Sequence, residues 1–196
     1  MQKTLTGHRW LIAFVLLGMG GVTHAHTNGL PHMDFAAGLG HPFSGLDHIL
    51  AMVAVGLWAT QLGGRALWQV PLTFVLTMAA GGALGFMGTP LPHVELGIAG
   101  SVLVLGGLVA FNSRLPLAAS MGLVGVFAIF HGYAHGAEMA AETSAFWYSL
   151  GFMLATLTLH GIGIGAGLAA GRGVPARLVR FSGAAIAASG LVMLTV

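Results

Sequence analysis

Six long apolar segments, separated by short connections, constrain this chain more than any other feature of its sequence. Their approximate bounds are 43–62, 67–88, 94–111, 115–136, 145–170 and 174–195. As a helix rising about 1.5 Å per residue, each is long enough to cross the hydrocarbon core of a bilayer. Helices are the natural choice in lipid, because they pair their backbone N–H and C=O groups within one segment. The pattern therefore predicts an all-α, polytopic membrane protein built as a bundle of six transmembrane helices.

The amino-acid composition agrees with a lipid environment. Hydrophobic residues make up 56% of the 196 residues, charged residues make up 6%, and the mean hydropathy is +0.89. The isoelectric point of 9.7 comes from seven dispersed Lys and Arg residues against five acidic ones, with no basic run of the kind that binds nucleic acid. We therefore expect no nucleic-acid partner. Cysteine is absent, which excludes disulfides, thiolate metal ligands and a cysteine nucleophile.

The beginning of the chain has the pattern of a cleavable signal peptide. Two basic residues precede an apolar run over 11–19, and small residues then lead to Ala25. The run is shorter than the roughly 20 residues that cross a bilayer, which favours a leader over a first span. We expect removal of 1–25, which leaves a single six-helix transmembrane domain over 26–196 with His26 at its N-terminus. The alternative is a retained first helix that extends through the glycines after the apolar run.

The arginines indicate how the spans are oriented. All of them after the leader lie on or beside alternate connections between the apolar segments. They are Arg65, Arg114, Arg172, Arg177 and Arg180. By the positive-inside rule these connections face the cytoplasm, which places the mature N-terminus and the C-terminus outside. A cleaved signal peptide requires the same orientation.

The histidines and acidic residues are unevenly distributed along this topology. Most of them fall outside the spans or in the outer halves of spans. They are His26, His32, Asp34, His41, Asp47, His48, His93, Glu95, His131, His135, Glu138 and Glu142. His160 is the exception, since it lies deep in the fifth span. Ionisable groups are costly inside a membrane, so this bias favours a functional interpretation.

The stretch HPFSGLDHILAMVAVGLWA at 41–59 begins an apolar span with a polar cluster. Asp47 and His48 are consecutive residues, about 100° apart around a helix. His41 lies just before them, beside Pro42, which suits an early helical position because it has no N–H to leave unpaired. The cluster places two imidazoles and a carboxylate at the outer mouth of the first span.

The fourth span ends with the stretch FHGYAHGAE, which carries a second cluster. His131, His135 and Glu138 are spaced i, i+4, i+7, so all three share one face of a helix. His131 lies a few residues in from the outer end, at a depth comparable to His48 on the first span. Two helices thus present imidazoles and carboxylates at one level, which is the outline of a metal site.

Two further residues are candidates with more than one interpretation. Glu95, near the outer end of the third span, is a metal ligand, a partner that orients an imidazole, or a proton carrier. His160 is either a hydrogen-bonding residue between helices or a single ligand further along an ion path. Histidines that stand alone, such as His32 and His93, give a weaker indication of metal binding.

Enzyme signatures are weak in this chain. The zinc-protease motif has a glutamate directly after its first histidine, and here that position is Gly132. Serine-hydrolase and P-loop patterns are also missing from the sequence. An intramembrane zinc-dependent lipid hydrolase with His and Asp ligands stays open as an alternative, as does a metal-buffering membrane protein. Copper is a further alternative, based on the thioethers of Met33, Met52 and Met139, which lie near the histidines and acidic residues at the outer ends of the spans.

The two histidine motifs resemble those of a known family. HPFSGLDHILAMVAVGLWA is similar to the signature of the HupE/UreJ nickel permeases, and HGYAHGAE resembles the second histidine motif of that family. The similarity extends over essentially the whole chain. The resemblance implies a permease rather than an enzyme, located in a bacterial inner membrane, that imports Ni²⁺ or Co²⁺ for the maturation of hydrogenase or urease. The resemblance also implies that the residues matching the two motifs are functional. They are His41, Asp47, His48, His131, His135 and Glu138.

The resemblance leads to a hypothesis for the route of the ion. We expect capture outside by His26, binding by the clustered residues, and passage by His160 to the cytoplasm. The transported ion is then the substrate, and no permanent cofactor is required. A homo-oligomer and cytoplasmic nickel chaperones are both compatible with this interpretation.

Overall fold

A computed structural model describes residues 31–140, 142–170 and 175–195. The expected signal peptide and His26 lie outside this part of the chain, as does Arg172. The described residues form seven α-helices and a short 3₁₀ turn at His41–Phe43. The helices are α1 Pro31–Gly40, α2 Leu46–Leu62, α3 Ala66–Phe86, α4 Val94–Phe111, α5 Leu117–Glu138, α6 Ala145–Ala170 and α7 Ala176–Met193. The all-α prediction is confirmed.

Five of these helices, α3 to α7, are each long and apolar enough to cross a membrane. A sixth span arises if α1, the 3₁₀ turn and α2 count together, although the two parts meet at an angle of 78°. The prediction of a polytopic membrane protein is thus confirmed.

The first apolar segment is not the straight helix that the sequence predicts from residue 43. Helix α2 begins only at Leu46, after Gly45 adopts an extended conformation with φ −102° and ψ 121°. Pro42 accordingly lies in the 3₁₀ turn rather than at the start of α2. Ser44 closes that turn, since its N–H and its hydroxyl both donate to the carbonyl of His41, at 3.0 and 2.6 Å. A glycine loses more freedom than other residues on entering a helix, which favours the break at this position.

Helix α2 occupies the centre of the bundle. It packs against α3, α4 and α6 and also contacts α7. Met52, Val55 and Trp58 are fully buried along its length. The end of α2 that lies away from the histidines is tied to α4 and the residues after it: the Trp58 indole N–H donates to the carbonyl of Ser113 at 2.8 Å. The residues at the start of α2 are therefore held in the interior by packing along the whole helix.

Glycines allow α3 and α5 to approach closely. A Cβ atom on Gly81 would collide with the main chain of Ile129, and one on Gly85 would collide with the main chain of Tyr133. In the opposite direction, Gly132 of α5 faces the main chain of α3. Gly81 and Gly85 are therefore packing residues, since small side chains let two helices approach closely.

Helix α6 carries two pairs of glycines spaced four residues apart, and only one pair packs against a neighbouring helix. Gly163 and Gly167 lie against the main chain and Thr60 side chain of α2. A Cβ atom on Gly161 or Gly165 would have no atom of another helix within 4 Å in the described part of the chain. Residues two apart lie on nearly opposite sides of a helix, so only one register faces α2.

The two ends of the bundle differ in their polar residues. The first turns of α2 and α4, the last turns of α5 and the start of α6 meet at one end, which carries the clustered histidines and acidic residues. The described arginines lie at the opposite end, where Arg180 donates to the carbonyl of Ala110 at 2.8 Å. The tertiary structure thus separates the two charge types along the bundle axis.

Candidate metal-binding site

Asp47 orients the first histidine of the site. It lies in the first turn of α2, where a carboxylate is favoured by the helix dipole. Its Oδ1 accepts the main-chain N–H of His48 at 2.7 Å and lies 3.2 Å from the Nδ1 atom of the same residue. Because the carboxylate binds Nδ1, the Nε2 atom of His48 is the ring nitrogen that can act as a ligand toward the interior. His48 is buried, so this orientation is protected from water.

Three imidazoles meet in the interior, and we call them the inner cluster: His48, His131 and His135. The Nε2 atom of His48 lies 3.0 Å from Nδ1 of His131 and 2.6 Å from Nε2 of His135. All three side chains are buried, with His131 fully so. The helical spacing that placed His131 and His135 on one face of α5 therefore directs both rings at α2. The predicted match in depth between His48 and His131 is borne out by this geometry.

A second group lies nearer the surface, and we call it the outer cluster: His41, His135 and Glu138. One ligand atom from each lies within 4.8 Å of those from the other two, close enough to hold a metal ion. Nε2 of His41 is 4.0 Å from Oε2 of Glu138, and the side chains are 33% and 65% exposed. The bend before α2 lets the His41 ring approach His135, with a centroid distance of 4.6 Å. His135 belongs to both clusters.

A cavity of about 180 Å³ opens at these residues. Its polar lining consists mainly of histidine and acidic side chains. They are His41, Asp47, His48, Glu95, His135 and Glu138. Three carboxylates around one cavity create a negative field that attracts cations. Glu95 reaches the cavity from α4, which brings a third helix into the predicted site.

Ser101 is a candidate site residue that the sequence analysis does not identify. It is fully buried on α4, and its hydroxyl lies 2.7 Å from Nε2 of His131. A single serine inside an apolar span has the same sequence pattern as a packing residue, so the sequence does not indicate a role at the site. The sequence offers one signal for it: Ser101 follows Glu95 and Ile98 at intervals of three residues on α4, and these two residues line the cavity.

His160 lies deeper and apart from both clusters. It is buried, and neither of its ring nitrogens has a hydrogen-bond partner among the described residues. The structure therefore gives no support to the alternative of a hydrogen bond between helices. The ring centroid of Phe74 is 5.3 Å from that of His160 and 5.8 Å from that of His131. Phe74, which the sequence reasoning also missed, thus contacts the inner cluster on one side and His160 on the other.

Four of the polar residues that the sequence analysis names do not line the cavity. His32, His93 and Glu142 are exposed. Asp34 is buried, and its Oδ2 accepts the N–H of Ser144 at 2.9 Å, which links α1 to the residue before α6. Asp34 therefore has a structural role in positioning these two helices.

The methionines named for copper do not line the acidic cavity in the described structure. Met33 is 40% exposed on α1, and Met52 is fully buried in the core. Met139 lines a separate, mainly apolar cavity between α3, α5 and α6. The acidic cavity is therefore a site of nitrogen and oxygen ligands.

Comparison with known proteins agrees with the motifs. A family model described as HupE / UreJ protein matches residues 13–193. The chain is 48% identical to Protein HupE of Rhizobium leguminosarum bv. viciae over 179 residues, which cover 91% of this chain and 93% of the relative. No solved structure matches the chain. The family match includes every residue of the two clusters, and the chain belongs to the HupE/UreJ family.

Proposed function

We propose that this protein is a permease that takes up Ni²⁺, with Co²⁺ as a second substrate, across the bacterial inner membrane. The observation that carries the proposal is the convergence of three imidazoles: one nitrogen each of His131 and His135 lies within 3.0 Å of His48 Nε2, directly beneath an acidic cavity. Membership of the HupE/UreJ family supports nickel as the substrate and maturation of hydrogenase or urease as its purpose. No permanent cofactor and no enzymatic step is part of this function.

The acidic cavity and the outer cluster form the entry to the ion path. His26 and the mature N-terminus deliver the ion from outside, and the carboxylates of Glu95 and Glu138 attract it into the cavity. His41, His135 and Glu138 then bind it with two nitrogens and one oxygen. This mixture of imidazole and carboxylate suits nickel, cobalt, zinc and copper, so selection among them rests on geometry rather than on ligand type.

His135 passes the ion from the outer to the inner cluster. Because the same ring belongs to both clusters, the ion exchanges the other ligands one at a time while His135 stays bound. His48 and His131 replace His41 and Glu138 as the ion moves inward. Stepwise exchange avoids a state in which a divalent cation is stripped of ligands inside the membrane.

His160 is the next ligand toward the cytoplasm. Neither ring nitrogen of His160 has a partner among the described residues, which is unfavourable in an apolar interior, and a cation pairs the nitrogen that carries the lone pair. The membrane potential drives the passage: a divalent cation gains about 4.6 kcal/mol at about 100 mV, twice the single-charge value. That energy supports accumulation of about three orders of magnitude without ATP. Cytoplasmic nickel chaperones receive the ion, and a homo-oligomer is compatible with this route.

Uptake of ⁶³Ni²⁺ into sealed liposomes that contain the purified protein tests the proposal. We expect accumulation that depends on an inside-negative potential and is lost in Asp47→Ala. His93→Ala, which alters an exposed histidine outside the cavity, is the matched control and keeps its uptake. Binding without accumulation would show a metal-buffering protein instead. Tightly bound, stoichiometric zinc in the purified protein, with no uptake, would indicate the zinc hydrolase.

A further inference from the structure

Ser101 makes two short hydrogen bonds in the interior of the bundle. Its Oγ lies 2.6 Å from the carbonyl oxygen of Ile98, one turn earlier on α4, and 2.7 Å from Nε2 of His131 on α5. Both Ser101 and His131 are fully buried. The three groups form one chain from a helix carbonyl through a hydroxyl to an imidazole.

The position of the protons in this chain follows from chemistry. A hydroxyl carries one proton, and two oxygens 2.6 Å apart need a proton between them. Ser101 therefore donates to the carbonyl of Ile98, which can only accept. The hydroxyl oxygen then accepts from His131, so the proton of the neutral His131 ring is on Nε2. Its Nδ1 atom is left with a free lone pair.

The same reasoning applies to the ring that faces His131. The carboxylate of Asp47 only accepts, so Nδ1 of His48 carries the proton and Nε2 is an acceptor, which lies 2.6 Å from Nε2 of His135. Nε2 of His48 and Nδ1 of His131 lie 3.0 Å apart. Two ring nitrogens without protons thus lie side by side next to His135, one held by the carboxylate behind its ring and the other by the hydroxyl behind its ring. Such a pair is stabilised by a cation between or beside the two nitrogens.

We propose that Ser101 is a positioning residue of the cation site, which holds His131 in the Nε2–H tautomer so that Nδ1 faces the ion. The inference rests on the proposed function for the identity of the ion. In the other tautomer, His131 would direct an N–H group at the site and could not act as a ligand. Ser101 does for His131 what Asp47 does for His48, and each binds the ring nitrogen that lies away from the ion.

The tautomer is measured first, on the full-length protein without metal. In protein labelled with ¹⁵N-histidine, ring nitrogens that carry a proton are distinguished from those that do not by chemical shift. The His131 signals are identified by their loss in His131→Gln. We expect wild-type His131 to be protonated on Nε2 alone, and Ser101→Ala to lose this preference. A wild-type ring protonated on Nδ1, or an unchanged preference in Ser101→Ala, would overturn the inference.

Ni²⁺ affinity is measured next by equilibrium binding. We expect Ser101→Ala to bind Ni²⁺ about 10- to 100-fold more weakly, the usual effect of removing a partner behind a metal ligand. Ser101→Thr retains the hydroxyl and restores the affinity. Ser120→Ala is the matched control, because Ser120 is also fully buried but its hydroxyl donates only to carbonyls, at 3.2 and 3.5 Å. It should bind Ni²⁺ like the wild type.

The two measurements separate this inference from the proposed function. If the wild type neither binds nor transports Ni²⁺, the function is refuted, while the tautomer of the metal-free protein still decides the role of Ser101. Equal losses of affinity in Ser101→Ala and Ser120→Ala would indicate a general packing effect and refute the positioning role. Wild-type affinity in Ser101→Ala would refute it as well.

Discussion

Replacing His160 by leucine should stabilise the protein and impair its transport. The two side chains are similar in size, and His160 lies in an apolar interior where Phe74 is its aromatic neighbour. The neutral ring has one donor and one acceptor, and neither has a partner among the described residues. Leucine removes both polar groups and keeps most of the packing.

The magnitude follows from the cost of burying unpaired polar groups. Each unsatisfied group costs about 1–3 kcal/mol, so two groups give an upper bound of about 6 kcal/mol. Leucine has a different shape from imidazole, and imperfect packing offsets part of the gain. We therefore expect the free energy of unfolding to rise by about 2 kcal/mol. For a chain of this length that corresponds to an increase in Tm of about 4–8 °C.

Two assays on the same His160→Leu preparation test this reasoning. Thermal unfolding in detergent should show the higher Tm, and ⁶³Ni²⁺ uptake into liposomes should fall at least about tenfold, since the ion loses its ligand beyond the inner cluster. His32→Leu changes an exposed histidine and should leave Tm unchanged. A lower Tm together with wild-type uptake would refute the reasoning, because His160 would then be a packing residue with no part in the ion path.

Four further substitutions test other parts of the structure. His48→Ala should abolish measurable ⁶³Ni²⁺ uptake while the protein still reaches the membrane, because both α5 histidines lose their partner; uptake at the wild-type rate would remove His48 from the site. Glu138→Gln should raise the KM for Ni²⁺ about tenfold, equivalent to about 1.4 kcal/mol, with little change in the maximal rate, since it removes an anionic ligand at the entry; an unchanged KM would contradict the outer cluster. Gly132→Ala should lower the free energy of unfolding by about 1–3 kcal/mol, because its Cβ would collide with the main chain of α3. Gly161→Ala, which meets open space, should change it by less than about 1 kcal/mol, and similar effects at both glycines would contradict the helix packing.

The sequence by itself determined the class of fold and most residues of the candidate site. Apolar segments of membrane-spanning length predict helices because lipid leaves the backbone no other partner. The i, i+4 spacing of His131 and His135 places them on one face, and the ends of the spans give their approximate depth. Local periodicity and length were sufficient for these predictions, because both are properties of a single helix.

The tertiary structure decided what each helix faces. The sequence did not distinguish Gly161 from Gly163, since the rotation of α6 against α2 depends on packing between the two helices. It also predicted a straight entry from residue 43, whereas the extended conformation of Gly45 lets His41 turn back toward His135.

The partners of the histidines were likewise decided by the tertiary structure. Ser101 is 30 residues from His131 and lies on another helix, and Phe74 comes within reach of both His131 and His160 only because α3, α5 and α6 converge. A sequence pattern records which residues share a helix face. Contacts between faces depend on how the whole bundle packs, and the hydrogen bonds that direct each imidazole exist only after that packing is complete.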